Sequence, residues 1–189
     1  MKYLDLQAKV KTNIFTFLDI EKIFSAESLH SIKIQLSRFA KKGLIKQIKR
    51  ELYCFDEKKI DELVLAGLLY QPSYISLESA LNYYGIIPDI PQAITLVSLT
   101  NSKKIKNDFG SFYYSKIKKE LFFGFTKISP PNLKEIIRIA KKEKALLDYF
   151  YIRKIKKITD LRLNLKELNH SVYQDCLKSF PEWIKRIEL

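Results

Sequence analysis

Apolar residues recur at helical spacing from Ser28 to Lys42: Leu29, Ile32, Leu36, Phe39 and Ala40 fall on one face, and His30, Ser31, Ile34, Arg38 and Lys41 fall on the other. Ser25 or Ser28 caps the start of this helix, and Gly43 supplies the left-handed residue that ends it. Leu44–Lys49 and Leu52–Phe55 follow as two short strands of a hairpin. Upstream, residues 1 to 17 predict an amphipathic helix with Leu4, Ala8, Lys11 or Thr12, and Phe15 on one side. Asp19 is placed to cap a short second helix, Ile20–Phe24, by accepting backbone N–H bonds.

Downstream the pattern changes. Asp56–Tyr70 reads as a helix with Ile60, Leu63, Val64 and Leu68 on one face, and Pro72 marks a boundary. Ser76, with Glu78 and Ser79, opens a helix that Gly85 ends. The β-branched run Ala93–Leu99 predicts a buried strand, and Gly110–Tyr114 and Leu121–Phe125 predict two more, with Lys116–Glu120 as a polar connection between them. Pro130-Pro131 is a break, after which Leu133–Lys154 reads as one continuous helix. Asn164–Leu168 and Val172–Phe180 are two short helices of the tail. The expected fold class is α+β: an N-terminal winged helix-turn-helix (residues 1–70, with a linker helix), then a mixed domain of a small sheet and flanking helices (residues 71–189).

Charge sharpens this picture. The net charge is +13 and the isoelectric point about 9.6, which favours a polyanionic partner. The distribution is uneven: residues 71–102 hold no Lys or Arg, while basic residues gather in Lys33–Arg50, Lys103–Lys119 and Lys134–Lys157. From Lys33 to Arg50 there are seven Lys or Arg and no acid. An apolar-anchored helix with a cationic outer face, leading into a cationic hairpin, suits the major groove of double-stranded DNA. On that reading Ser31, Ile34, Gln35 and Arg38 approach base edges, with Arg38 suited to guanine, Gln35 to adenine and Ile34 to a thymine methyl. Lys41, Lys42, Lys46, Lys49 and Arg50 contact phosphates, which position the protein without reading sequence.

Other chemistries find little to stand on. Cys54 and Cys176 have no Cys or His at ligand spacing, so no zinc site is legible, and both read as buried small apolar residues in a reducing cytoplasm. Five glycines, none in a phosphate-loop spacing, and two isolated histidines leave no cofactor and no catalytic relay. Glu143, Lys144 and Asp148 read as charges on an exposed helical face rather than as catalytic groups. The aromatics of residues 83–151 read as a second core. The N-terminus carries charges where a signal peptide needs an apolar run, and no segment approaches the roughly 20 apolar residues of a membrane span.

Several phrases in order bear a resemblance. IQLSRFAKKGLIKQIKRELYCF is similar to the recognition helix and wing of AbiEi-like antitoxins, the transcriptional-regulator half of type IV toxin–antitoxin systems. YISLESALNYYGIIPDIP, then ITLVS, GSFYYSKI, FFGF and EKALLDYFYIRK, resemble segments that follow in that family. Two departures stand out. Glu51 and Leu52 follow Arg50 where the family's wing turns through glycine, and Lys142 precedes Glu143 where the family has proline, which would let a helix run through the position. The resemblance implies a repressor that binds an inverted repeat in its own promoter as two protomers and acts as antitoxin to a nucleotidyltransferase-like toxin. The alternatives are a stand-alone winged-helix regulator whose second domain senses a ligand or holds a dimer, and an RNA- or protein-binding module using the Lys103–Lys157 surface.

Overall fold

A computed structural model describes residues 1–129, 135–159 and 161–189. The predicted break at Pro130-Pro131 and the start of the predicted helix, Leu133 and Lys134, lie outside them. Contacts divide the chain into two compact units: Met1–Leu69 with Ser129–Glu135, and Tyr70–Ile128 with Ile136–Leu189. Across the described residues the protein is mixed α+β, and no helix among them is long and apolar enough to cross a membrane.

The first unit runs α1 (Tyr3–Lys9), β1 (Ile14–Thr16), α2 (Phe17–Ile23), α3 (Leu29–Lys41), β2 (Lys46–Lys49), β3 (Leu52–Cys54) and α4 (Glu62–Leu69). The expected N-terminal helix stops at Lys9. Ile14, Phe15 and Thr16, β-branched or aromatic, pair instead with β3, placing Phe15 opposite Tyr53. Asn13 holds this strand's entry, its amide donating to Asp56 O (2.8 Å) and its Oδ1 accepting from Asp56 N (2.9 Å). Asp19 is not the cap of α2. Thr16 is, with its hydroxyl accepting from Asp19 N (3.2 Å) while the Asp19 carboxylate accepts from Thr16 N (2.8 Å).

α3 takes Ser28 as its cap, the hydroxyl accepting from Ser31 N at 3.1 Å. It ends with Gly43 at φ +68°, where Gly43 N donates to Ala40 O (3.0 Å) and Leu44 N to Phe39 O (3.0 Å). That paired closure needs a left-handed residue, which glycine adopts without a Cβ penalty. Ile32, Leu36 and Phe39 are buried among Leu6, Phe15, Ile20 and Ile45. Leu29, expected with them, is 48% exposed because it sits in the first turn, beyond the reach of that core. β1, β3 and β2 form an antiparallel three-stranded sheet in that order. The hairpin turns through Arg50 and Glu51, and Glu51 takes φ +64° where a glycine would sit more easily. The helix expected over 56–70 is a single 3-10 turn, Glu57–Lys59, followed by α4, which buries Val64, Leu65, Ala66 and Leu69.

The second unit adds β4 (Ser73–Ile75), α5 (Leu77–Tyr83), β5 (Ile94–Ser98), β6 (Lys103–Asn107), β7 (Gly110–Lys116), β8 (Phe125–Ile128), β9 (Ile137–Ala140), α6 (Lys142–Arg153), α7 (His170–Leu177) and α8 (Glu182–Lys185). Six strands form one sheet in the order β6-β7-β5-β4-β9-β8, larger than the small sheet expected. β4–β9 and β5–β7 are parallel pairs and the rest are antiparallel. The strand expected over Leu121–Phe125 begins only at Phe125, after a 3-10 turn at Lys119–Leu121.

The long helix expected from Leu133 is a strand and then a helix. Ile137 and Ile139 point into the core while Arg138 points out, and β9 is held between β8 and β4. Lys141, with ψ 157°, breaks the chain direction before α6, so no proline is required to start the helix there. Asn164–Leu168 is not helical, and Val172–Phe180 is replaced by α7, which begins two residues earlier. Among the aromatics expected in this core, Tyr83 and Tyr113 are exposed.

Candidate nucleic-acid interface and a buried polar cluster

α3 is anchored by three buried apolar residues and leaves its outer surface to solvent. Along that surface run Ser31, Ile34, Gln35, Arg38, Lys41 and Lys42, spaced so that they form one stripe. Ile34, an apolar residue, is 37% exposed. The side chains of Gln35, Arg38, Lys41 and Lys42 form no hydrogen bond or ion pair among the described residues, and α3 itself contains no acid. Lys33 lies to one side, its ammonium 5.2 Å from the centre of the Phe17 ring. The stripe therefore presents an amide, a guanidinium and two ammonium groups, all unengaged.

The hairpin residues behave differently from the sequence reading. Lys46 forms an ion pair with Glu57. Lys49 donates to Leu68 O (3.1 Å) and Leu69 O (2.6 Å), the carbonyls that end α4, where a cation is favoured by the helix dipole. These two lysines serve the unit's own packing before any phosphate. Arg50 is 92% exposed and only loosely placed near Glu51, at 3.9 Å. Of the nine residues expected at the interface, seven remain available and two are engaged.

The second and third basic blocks acquire structural explanations. Lys103, Lys104 and Lys106 line β6, an edge strand, where lysine discourages pairing with another sheet. Lys103 and Lys104 also lie 5.1 Å from the ring centres of Tyr70 and Tyr113. In the third block Lys142 pairs with Glu167 at 2.8 Å, and Arg153 grips Glu78 through two bonds of 2.6 and 2.9 Å. Lys154, Lys156 and Lys157 stay exposed.

The cluster that sequence reasoning missed is centred on α6. Lys144 and Asp148, expected on an exposed face, are both fully buried. The Lys144 ammonium pairs with Asp148 Oδ1 and donates to the Tyr74 hydroxyl (3.0 Å). Tyr74 OH and Ser76 Oγ each donate to Asp148 Oδ2 at 2.9 Å. The rings of Phe123, Phe180 and Tyr74 stand 5.1, 5.2 and 5.5 Å from the ammonium. Burial pushes the Asp148 carboxyl up and the Lys144 ammonium down, each opposed by the attraction of the other. Burial also lifts the Tyr74 hydroxyl far above its ordinary range, helped by the Asp148 charge.

The cluster's polar side chains are buried, and their bonds tie β4 and Ser76 to α6, with the Phe123 ring against the ammonium. Gly124 shows how tight the fit is: at φ +70°, a Cβ there would lie 2.9 Å from Lys144 Cγ. Glu143 is buried too and accepts from Asn169 N at 3.0 Å, tying the start of α7 to α6. A usable signal was present in the sequence. Ala145, Leu146 and Leu147 fill the interval between Lys144 and Asp148 and Phe150 follows it, so the pair sits within an apolar run, and all of these residues are buried with it. Cys54 is buried as expected, but Cys176 is half-exposed. Comparison with known protein families and with curated proteins gives no match for this chain.

Proposed function

We propose that the first unit is a winged helix-turn-helix that binds double-stranded DNA and represses transcription of its own operon. In this reading α2 and α3 form the helix-turn-helix, α3 enters the major groove, and the β2–β3 hairpin is the wing. The observation that carries it is the stripe of unengaged Gln35, Arg38, Lys41 and Lys42 on a helix whose opposite face is locked in the core. An acid-free row of donors matches base edges and phosphates, and an ordinary solvated helix face mixes both signs. Ile34, exposed within that row, is placed to meet a thymine methyl. Arg50 at the tip of the hairpin reaches a neighbouring phosphate. Two protomers on an inverted repeat would place two such helices one turn of DNA apart.

The resemblance to AbiEi-like antitoxins extends the proposal to the second unit, which would neutralise a nucleotidyltransferase-like toxin from a neighbouring gene. That half rests on the resemblance alone. A transcriptional reporter fused to the DNA upstream of the protein's own gene tests the repressor half: expression of the wild-type chain lowers the signal and Gln35→Ala/Arg38→Ala restores it. A signal unmoved by the wild-type chain overturns it. Co-expression with the neighbouring gene tests the second half, growth rescue by the full chain being the expected result and no rescue the contrary one.

A further inference from the structure

The second unit carries a cleft of about 600 Å³ lined by Tyr151, Ile152, Lys154, Lys156 and Trp183. That volume is within the usual range of small-molecule sites. Its floor is a prearranged aromatic platform. The Tyr151 and Trp183 rings are nearly parallel, 6.1 Å between centres and 21° between planes, and the Phe180 ring buttresses Tyr151 edge-on at 5.9 Å. Trp183 remains 36% exposed. Among the described residues the side chains of Lys154 and Lys156 form no ion pair or hydrogen bond, and no acid lines the cleft. Glu182, next to Trp183 in the chain, is held by Lys185 at 2.7 Å.

An exposed ring platform beside two uncompensated ammonium groups fits a ligand that is flat at one end and anionic at the other. We infer that this cleft binds a nucleotide, its base stacked on Trp183 and Tyr151 and its phosphate held by Lys154 and Lys156. Stacking accepts any base, because every base has a π-face, and lysine acts on phosphate as a point charge. The nucleotide is free or part of a single strand, since both present the same base and phosphate. This site is independent of the α3 stripe, and neither proposal needs the other.

Trp183 is the chain's one tryptophan, so its fluorescence reports on the cleft directly. The full chain is titrated with adenosine 5′-monophosphate, adenosine, inorganic phosphate and a short oligoadenylate, exciting at the red edge of the tryptophan band. Saturable quenching by the monophosphate, about tenfold weaker for adenosine, is expected from losing the phosphate's contacts to the two lysines. Lys154→Gln/Lys156→Gln should weaken the monophosphate by about tenfold and leave adenosine unchanged. Tighter binding of oligoadenylate than of the monophosphate, lost in the same variant, assigns the source as a strand. No saturable change at millimolar monophosphate, or equal quenching in the wild type and the double variant, overturns the inference. Trp183→Phe, followed by calorimetry, should bind more weakly while melting near the parent temperature.

Discussion

Neutralising Lys42 and neutralising Lys49 should have opposite signatures, although both are lysines within the same basic run. The Lys42 ammonium has no partner among the described residues, whereas that of Lys49 is spent on the carbonyls of Leu68 and Leu69. The cations left for phosphate are Lys41, Lys42 and Arg50, Arg38 being placed for a base edge. Three neutralised phosphates give a slope of log affinity against log salt of about −2.7 per protomer, or about one and a half powers of ten between 50 and 200 mM salt, and about twice that for a pair of protomers. Fluorescence anisotropy of a labelled operator duplex across that range measures the slope. Lys42→Gln should make it shallower by about 0.9 per protomer. Lys49→Gln should leave the slope unchanged while lowering stability to urea by about 1 kcal/mol, from loss of its bonds to the α4 terminus. A slope reduced equally by both changes would refute this division of the basic residues.

Three further predictions concern the second unit. Lys144→Met leaves Asp148 as an uncompensated buried charge and should cost about 3–5 kcal/mol in chemical denaturation; adding Asp148→Leu should recover a substantial part, and strictly additive losses would contradict the coupling. Gly124→Ala places a Cβ against Lys144 at positive φ and should cost about 2 kcal/mol, a change seen as a lower Tm; an unaltered Tm would count against the close approach. Tyr173 is buried with its hydroxyl unpartnered among the described residues, and burial pushes its pKa up to about 12. A pKa raised on folding means stability that is complete below the ordinary value near 10 and lost as pH rises toward about 12. Tyr173→Phe should therefore be stabilising by about 1 kcal/mol at neutral pH and soften the alkaline loss, and destabilisation would show that the hydroxyl has a partner.

What the sequence made legible was local and self-contained. α3 could be read because its cap, apolar spacing and Gly43 stop all agree within one segment. The core of β5 was legible because Ala93–Leu99 is β-branched and uncharged. β1 and β9 were not, because their strand state depends on distant partners: Ile14–Thr16 on β3, and Ile137–Ala140 on β4 and β8. Lys-, Ile- and Leu-rich composition around residues 133–154 imitates one helix, and pairing with two strands outweighs that propensity. The interface followed the same division. The α3 stripe was visible from periodicity, but the engagement of Lys46 and Lys49 depends on Glu57 and on the end of α4, which spacing cannot reveal. The Lys144–Asp148 pair imitates a surface pair at i, i+4, and only the apolar residues around it betray its burial.

The central claim is that α3 reads double-stranded DNA. Its most direct test is binding of the wild type and Arg38→Glu to the duplex just upstream of the protein's own gene, at two salt concentrations, against a scrambled duplex of equal length. Tight binding that prefers the native duplex, weakens with salt and disappears in Arg38→Glu is the result the account predicts. Equal affinity for both duplexes, or native-duplex binding that survives Arg38→Glu, would contradict it.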